Sequence, residues 1–512
     1  MTDLLAPAHQ PAHDTVTDPD DGAEAELVDV LVVGAGISGI GAARHLTHQA
    51  PGRRLVVLEG RDTFGGTWEV NRYPGVRSDS DMFTFGYSFK PWLANELATA
   101  EEIRKYLGEV IEENDLGRHI RYGHRVTAAR WSSSSRLWYV DVTRSDTGER
   151  VRFAARFLWM CQGYYRHDEG YTPDWPGLER FRGEVVHPLT WPEQLDHHGK
   201  RVVVVGSGAT AATLVPALAQ GGAGHVTMVQ RSPSYYVLSP RSHEVVEALR
   251  SVDTPDEWVH EIARRLMLKQ GRELAEQIAA DPAATSAWFV DQVRQALPEG
   301  YDVERHFTPT YPVWRQRLCR LPEGDLLAAI REGRVTMVTG HISEVTETGL
   351  RMDDGTEVEA DVLVTATGFH LSVMGGIPFT VDGDQVDWSR TVTYHGTMFT
   401  GVPNLAYVFG YLRASWTLRV DLVSDLVCRL LRRMEERGAT VVVPQLRPED
   451  HDMPLRPWND PDDFDPGYMM RSLHLVPRQG DRFPWRGTDV GYHEEVEVLP
   501  AVDLDDGTLV YQ

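Results

Sequence analysis

The chain carries no hydrophobic period up to residue 26, and its character changes at Val28. VDVLVVG is an unbroken apolar run of buried-strand type, GAGISGIGAARHL turns directly into a helix, and RRLVVLE is a second strand. The same plan recurs from Lys200: KRVVVVG, then SGATAATLVPALAQ, then HVTMVQ. Each unit is followed by a β-rich stretch closing on a small-residue turn, RFLWMCQG at Gly163 and DVLVTATG at Gly368, with a hairpin signal at Asp354-Gly355. The halves read as an internal duplication of one βαβ plan.

Between Arg241 and Gly300 the period becomes helical, with Val245, Val246, Leu249, Trp258, Ile262, Leu266, Leu274 and Ile278 spaced by three to four residues. This predicts a helical insertion; a membrane-surface helix is the alternative, weakened by polar faces as acidic as they are basic. A further amphipathic helix covers SWTLRVDLVSDLVCRLLRRMEERG and stops at Gly438, and the Pro- and Asp-rich residues 447–467 read as a long loop.

The expected fold class is therefore α/β, two Rossmann-like dinucleotide-binding domains with a helical insertion. Residues 1–26 are expected as a disordered tail, 27–165 and 369–512 as an FAD-binding domain, 166–240 and 306–368 as an NADPH-binding domain, and 241–305 as the insertion.

Composition narrows the partners. With 512 residues and 42% hydrophobic content a large core is available, and a formal charge of −24 disfavours nucleic acid as a partner. Cys161, Cys319 and Cys428 lie far apart without CxxC spacing. That argues against a disulfide framework, a zinc site or a dithiol redox pair, and fits a reducing cytoplasm. The N-terminus has no basic region followed by an apolar core, and no apolar run approaches the ~20 residues of a membrane span.

The candidate chemistry begins at the two Gly-rich turns. Gly34, Gly36 and Gly39 form GxGxxG between strand and helix, the arrangement that admits a pyrophosphate to the helix N-terminus. Glu59, at the end of the second strand, suits ribose hydroxyls and repels a 2′-phosphate, which selects FAD or NAD. The second turn is GxGxxA: Gly206, Gly208 and Ala211. Arg231 stands twenty-five residues after Gly206, as Glu59 stands after Gly34, so one structural slot holds opposite charges in the two halves. Arg231 with Ser232 suits a 2′-phosphate and hence NADPH, although an arginine there is also compatible with a solvated surface charge. The segment GGTWEVNRYPGVRSDSDM, from Gly65 to Asp79 and beyond, suits a flat ring system or an aromatic-rich core loop, and composition alone favours the latter. His187, taken alone, fits a structural histidine better than a catalytic one.

Phe181, Gly183, His187, Trp191 and Pro192 form Phe-x-Gly-x-x-x-His-x-x-x-Trp-Pro between the two turns. This resembles the fingerprint of type I Baeyer–Villiger monooxygenases, and Gly65, Trp68, Tyr73, Pro74, Gly75 and Asp79 resemble that family's longer signature. YPVWRQRLC, ASWTL and PGYMMRSL are especially similar to the ethionamide-activating subgroup.

The resemblance implies an FAD-containing, NADPH- and O2-dependent enzyme converting ketones to esters or lactones through an anionic C4a-peroxyflavin, with sulfides as further substrates. It implies Arg317 as the active-site cation, Asp79 as the carboxylate that positions it through a direct pair, and FAD contacts at Ser38, Glu59, Gly66, Thr67, Trp68 and Val126. It implies NADP contacts at Arg77, Ser78, Ser207, Thr210, Ala211, Arg231 and Ser232, and a conformational-linker role for His187 and Trp191. Many members carry Lys before the active-site Arg; this chain has Gln316, which leaves Arg315 as a possible substitute. The competing readings are a flavin monooxygenase oxidising nitrogen or sulfur and a non-catalytic NADPH-sensing protein. The absent CxxC removes a pyridine nucleotide–disulfide oxidoreductase.

Overall fold

The computed structural model describes residues 14–240 and 242–512. Two parallel-strand sheets organise it, each grown around one of the duplicated strand–turn–helix units. In the first, Glu24–Val33 lies between Leu55–Leu58 and Arg150–Met160, parallel to both, with Val30 opposite Leu55 and Phe157. The ladder continues antiparallel through Leu137–Arg144 and His124–Ser132. Late segments return to finish it: Leu405–Tyr407 adds beside Arg150–Met160, and Phe379–Val381 beside His124–Ser132.

The second sheet is parallel throughout, in the order Val335–Thr339, His225–Gln230, Arg201–Val205, Val362–Thr365, Glu184–Val186. Its central strands are buried on both faces, which is why they read as near-continuous valine. Each fully buried valine stabilises by about 1.5–3 kcal/mol relative to exposure. Tyr165–Gly170 and Phe369–Leu371 pair antiparallel and form a two-stranded ribbon between the sheets.

The insertion is four helices, Glu244–Ser251, Asp256–Ala280, Pro282–Ala296 and Val303–Phe307. Val259, Ala263 and Met267 join the core of the first half, whereas Phe289, Val290 and Val293 join that of the second. It therefore bridges the halves instead of decorating one. Trp416–Glu436 is the expected amphipathic helix, and Gly438 follows it with φ +62°, a left-handed conformation that suits glycine.

The expected tail needs correction from residue 14 onward. Thr15–Thr17 pairs antiparallel with the start of Glu24–Val33, and the buried Asp18 carboxylate takes Arg130 and Arg152. Those ion pairs repay the ordering of a segment without hydrophobic period. Residues 1–13 of that tail lie outside the described residues. Within 447–467, Arg456–Pro457 pairs with Arg478–Gln479, and the remainder is mostly irregular. Among the described residues no helix is long and apolar enough to cross a membrane.

Candidate active site

Both Gly-rich turns open into one cavity of about 1720 Å³. The first turn is shaped by contacts only glycine permits. Gly34 has φ +103°, and a Cβ at Gly39 would fall 1.8 Å from the Gly34 carbonyl oxygen. Ile37–Gln49 starts there with no side-chain cap and no acid in its first turn, so its first N–H groups remain available to an anion. Glu59 lines the cavity, but its carboxylate already accepts from the Ala35 N–H (2.8 Å) and the Arg61 N–H (3.0 Å). Burial raises its pKa against those bonds. Gly66, Thr67, Trp68 and Val126 also line the cavity. The Ser38 hydroxyl accepts the Trp416 indole N–H at 2.8 Å, tying the first helix to the C-terminal one.

The second turn repeats the device with more room. Gly206 has φ +142°, where a Cβ would meet the Ala366 carbonyl at 2.2 Å, while a Cβ at Gly208 would meet nothing within 4 Å. Ala211, at the place of the third glycine, is fully buried in the core of this half. Ala209–Gln220 likewise begins without a side-chain cap or an acid. Ser207 donates to the Ser232 carbonyl (3.1 Å), and Thr210, Arg231 and Ser232 face the cavity. Arg231 is exposed and forms no ion pair among the described residues.

Arg317 lies between the turns, part-buried, and an unforeseen set of phenols surrounds it. Its Nη2 donates to the Tyr164 hydroxyl at 3.4 Å, and Tyr164 donates to the Tyr165 hydroxyl at 2.9 Å. Tyr468, whose hydroxyl is buried without a partner, packs against both rings. Tyr164 stacks on Trp416, centroids 5.2 Å apart and planes at 8°. Burial lowers the Arg317 pKa, but the surrounding Tyr164, Tyr468, Tyr165 and Asp79 outweigh it, so the guanidinium stays charged.

The expected direct pair with Asp79 is not formed. Asp79 lines the same cavity and favours the charge of Arg317 from a distance, while Tyr164 takes the guanidinium's hydrogen bond. Arg315 is corrected as a substitute cation as well. Its Nε donates to Asp465 at 2.7 Å, and the Gln316 amide reaches the other oxygen of that carboxylate at 3.4 Å. Arg77 and Ser78 lie outside the cavity lining: Arg77 pairs with Asp325 (2.8 Å), and the Ser78 hydroxyl donates to the Ser80 carbonyl (2.8 Å). They sit on a loop packed against the second half, where a Cβ at Gly75 would meet Ala217 at 2.6 Å.

His187 stands outside the cavity, at the ribbon. Its Nδ1 accepts from the Leu189 N–H (3.1 Å), leaving Nε2–H to donate to the Gly368 carbonyl (3.1 Å). Burial lowers its pKa, which favours this neutral tautomer. A Cβ at Gly170 would enter the imidazole ring, so His187 clamps both strands of the ribbon. Trp191 is half-buried against the second core.

Gln162 is a residue that sequence reasoning missed. Both polar atoms of its amide are buried without partners, and it lines the cavity beside the first turn. An amide that donates and accepts, a glycine cradle and an uncapped helix fit a ligand carrying both pyrophosphate and a heterocycle with polar edges, as FAD does. The roomier second turn, with unpaired Arg231 at its rim, fits a dinucleotide bearing a further phosphate.

Behind the cavity, Arg419 and Glu495 are 1% and 2% exposed and make a two-pronged pair, Nε to Oε2 at 2.8 Å and Nη2 to Oε1 at 2.9 Å. The guanidinium also donates to the Phe409 and His395 carbonyls, and the hydroxyl of Tyr411, which reaches the cavity wall, donates to Glu495 at 2.6 Å. His395 is nine-tenths buried here, and burial, then the Arg419 charge, pushes its pKa down to about 3. Its folded pKa lies below the unfolded value, about 6.5, so its contribution is complete above that pH and fades as pH falls. Down to pH 5 this group alone withdraws about 2 kcal/mol. His395→Asn tolerates the local φ of +48° and is expected to flatten the fall of Tm between pH 6.5 and 5. Parallel Tm profiles for wild type and variant would refute this.

The sequence profile described as flavin-binding monooxygenase-like matches residues 27–246. The FAD-containing monooxygenase EthA of Mycobacterium tuberculosis (strain ATCC 25618 / H37Rv) is 44% identical over 489 residues, 94% of this chain and 97% of that protein. Among solved structures, a cyclohexanone monooxygenase from Rhodococcus sp. Phi1 bound to NADP⁺ is 25% identical at a TM-score of 0.70, covering 95% of this chain and 99% of its own. An oxidised steroid monooxygenase bound to NADP shares the fold at a TM-score of 0.74 and 24% identity, with the same coverage.

Proposed function

The chain belongs to the flavin-binding monooxygenase-like family, and from that premise we propose that it performs Baeyer–Villiger oxygenation, converting a ketone to an ester or lactone. It is an NADPH-dependent FAD monooxygenase, similar over nearly its whole length to FAD-containing EthA. The finer reading is carried by one observation: a charged guanidinium, Arg317, without a carboxylate pair among the described residues, faces the cavity that both dinucleotide turns enter.

Bound FAD, once reduced by NADPH, supplies the activated oxygen. Ile37–Gln49 with Gly34, Gly36 and Gly39 would hold its pyrophosphate, Glu59 would suit its ribose hydroxyls, and the free amide of Gln162 would meet its polar edges. Ala209–Gln220, Ser207, Thr210, Arg231 and Ser232 receive NADPH. Arg317 donates N–H groups to the oxygen on which negative charge collects as the carbonyl carbon is attacked, and it can do so because it cannot lose its own proton. Asp79, without touching the guanidinium, favours its charge from the same cavity, and the Tyr164 hydroxyl holds its direction. Tyr164, Tyr165, Tyr468 and Trp416 wall the site and exclude water, which strengthens the electrostatics inside. His187 at the ribbon and Trp191 against the second core would serve as parts of a linker between the halves.

The test supplies purified enzyme with NADPH, ¹⁸O₂ and a panel of linear, cyclic and aryl ketones plus an aryl sulfide, read by mass spectrometry. One ¹⁸O in an ester is the expected product. Sulfoxide or N-oxide with no ester from any ketone would overturn the Baeyer–Villiger reading.

A further inference from the structure

We propose that Arg471, contributed by the C-terminal segment, completes with Arg231 a two-guanidinium seat for the 2′-phosphate of NADPH. The inference rests on the reading that this chain uses NADPH, and it assigns the discriminating charge to a residue far in sequence from the second dinucleotide unit.

Arg231 stands just past His225–Gln230, where a strand end meets the adenosine ribose in this fold. Arg471 lies on the short helix Gly467–Ser472 and lines the same cavity. Neither makes an ion pair among the described residues, although the chain has 75 acidic side chains against 51 basic ones. Nearby arginines are committed: Arg315 to Asp465 and Arg77 to Asp325. Gln316 is neutral and reaches for Asp465.

Arg471 is nonetheless held in place. Its guanidinium carbon lies 3.5 Å from the Tyr171 ring centroid, and its Nη2 donates to the Phe369 carbonyl at 3.1 Å. A guanidinium flat on a ring keeps its other in-plane donors free for an incoming anion. Burial lowers the Arg471 pKa, and the like charge of Arg231 lowers it further, so the pair repel each other until a dianion sits between them. Arg471 reaches Gly368, beside the second turn, so that two fork-capable guanidiniums on one cavity would supply the recognition that a lysine at position 316 would otherwise provide.

The test uses full-length, FAD-loaded protein and binding without turnover. Wild type, Arg471→Gln, Arg471→Lys and Arg231→Gln are titrated calorimetrically with 2′,5′-ADP and with 5′-ADP, and flavin absorbance and Tm report folding. Arg471→Gln is expected to weaken 2′,5′-ADP by about 10- to 100-fold, as for loss of a charge-assisted hydrogen bond, and to leave 5′-ADP unchanged. Arg471→Lys is expected to fall between. The proposal is overturned if Arg471→Gln leaves 2′,5′-ADP binding intact while Arg231→Gln weakens it, or if both ligands weaken equally. Wild type that fails to distinguish the two ligands would instead sink the NADPH reading beneath it.

Discussion

Arg317→Ala is expected to bleach its flavin with NADPH at close to the wild-type rate while making esters at least about 10²–10³-fold more slowly, the scale of losing a preorganised donor to a developing oxyanion. The separation follows from position. The hydrogen bond of Arg317 goes to Tyr164 and to neither turn, so the elements that seat the two dinucleotides are expected to remain intact. Its removal takes away the guanidinium proposed to face the reacting carbonyl. O2 should still be consumed, with hydrogen peroxide in place of ester. Arg317→Lys should recover little, because an ammonium in that site can give up its proton and lacks the fork. Anaerobic stopped-flow absorbance measures the first half-reaction and gas chromatography the product. Wild-type ester yield from Arg317→Ala would remove this residue from the chemistry.

The second large effect concerns stability. Arg419→Met is expected to cost about 3–5 kcal/mol, because it leaves the Glu495 carboxylate charged, buried and without its partner. The Tyr411 hydroxyl and the Phe409 and His395 carbonyls would be left in a reorganised pocket. Restoring neutrality should rescue much of the loss, so Arg419→Met combined with Glu495→Gln is expected to melt above Arg419→Met alone. Thermal unfolding followed by released flavin fluorescence reads both. A double variant no more stable than the single one would contradict the ion-pair account.

What could be read in advance was local. Gly34, Gly39 and Gly206 lie in turns whose geometry only small residues satisfy, and the flanking apolar runs announce strands within a few positions of them. Charge at the second strand's end distinguished Glu59 from Arg231 because both sit at a fixed offset from a recognisable turn. The site's remainder is built from distant partners. Tyr164, Arg317 and Tyr468 come together from three separate segments, and Trp416 bonds to Ser38 across 378 positions. Periodicity carries no record of such meetings. The Asp79–Arg317 pair failed for a related reason: motif adjacency names residues that share a cavity, while a competing phenol decides which of them touch. Asp18 ordered an aperiodic segment through charge, which a hydrophobic pattern does not register.

The way late strands finish the first sheet bears on how the protein is made. Leu405–Tyr407 and Phe379–Val381 enter a sheet founded by Glu24–Val33, and Trp416 closes on Ser38. A nascent chain that has emerged only as far as the second Gly-rich turn therefore has a flavin cradle with one wall missing. The last wall of that cradle becomes available only once about four-fifths of the chain has been made.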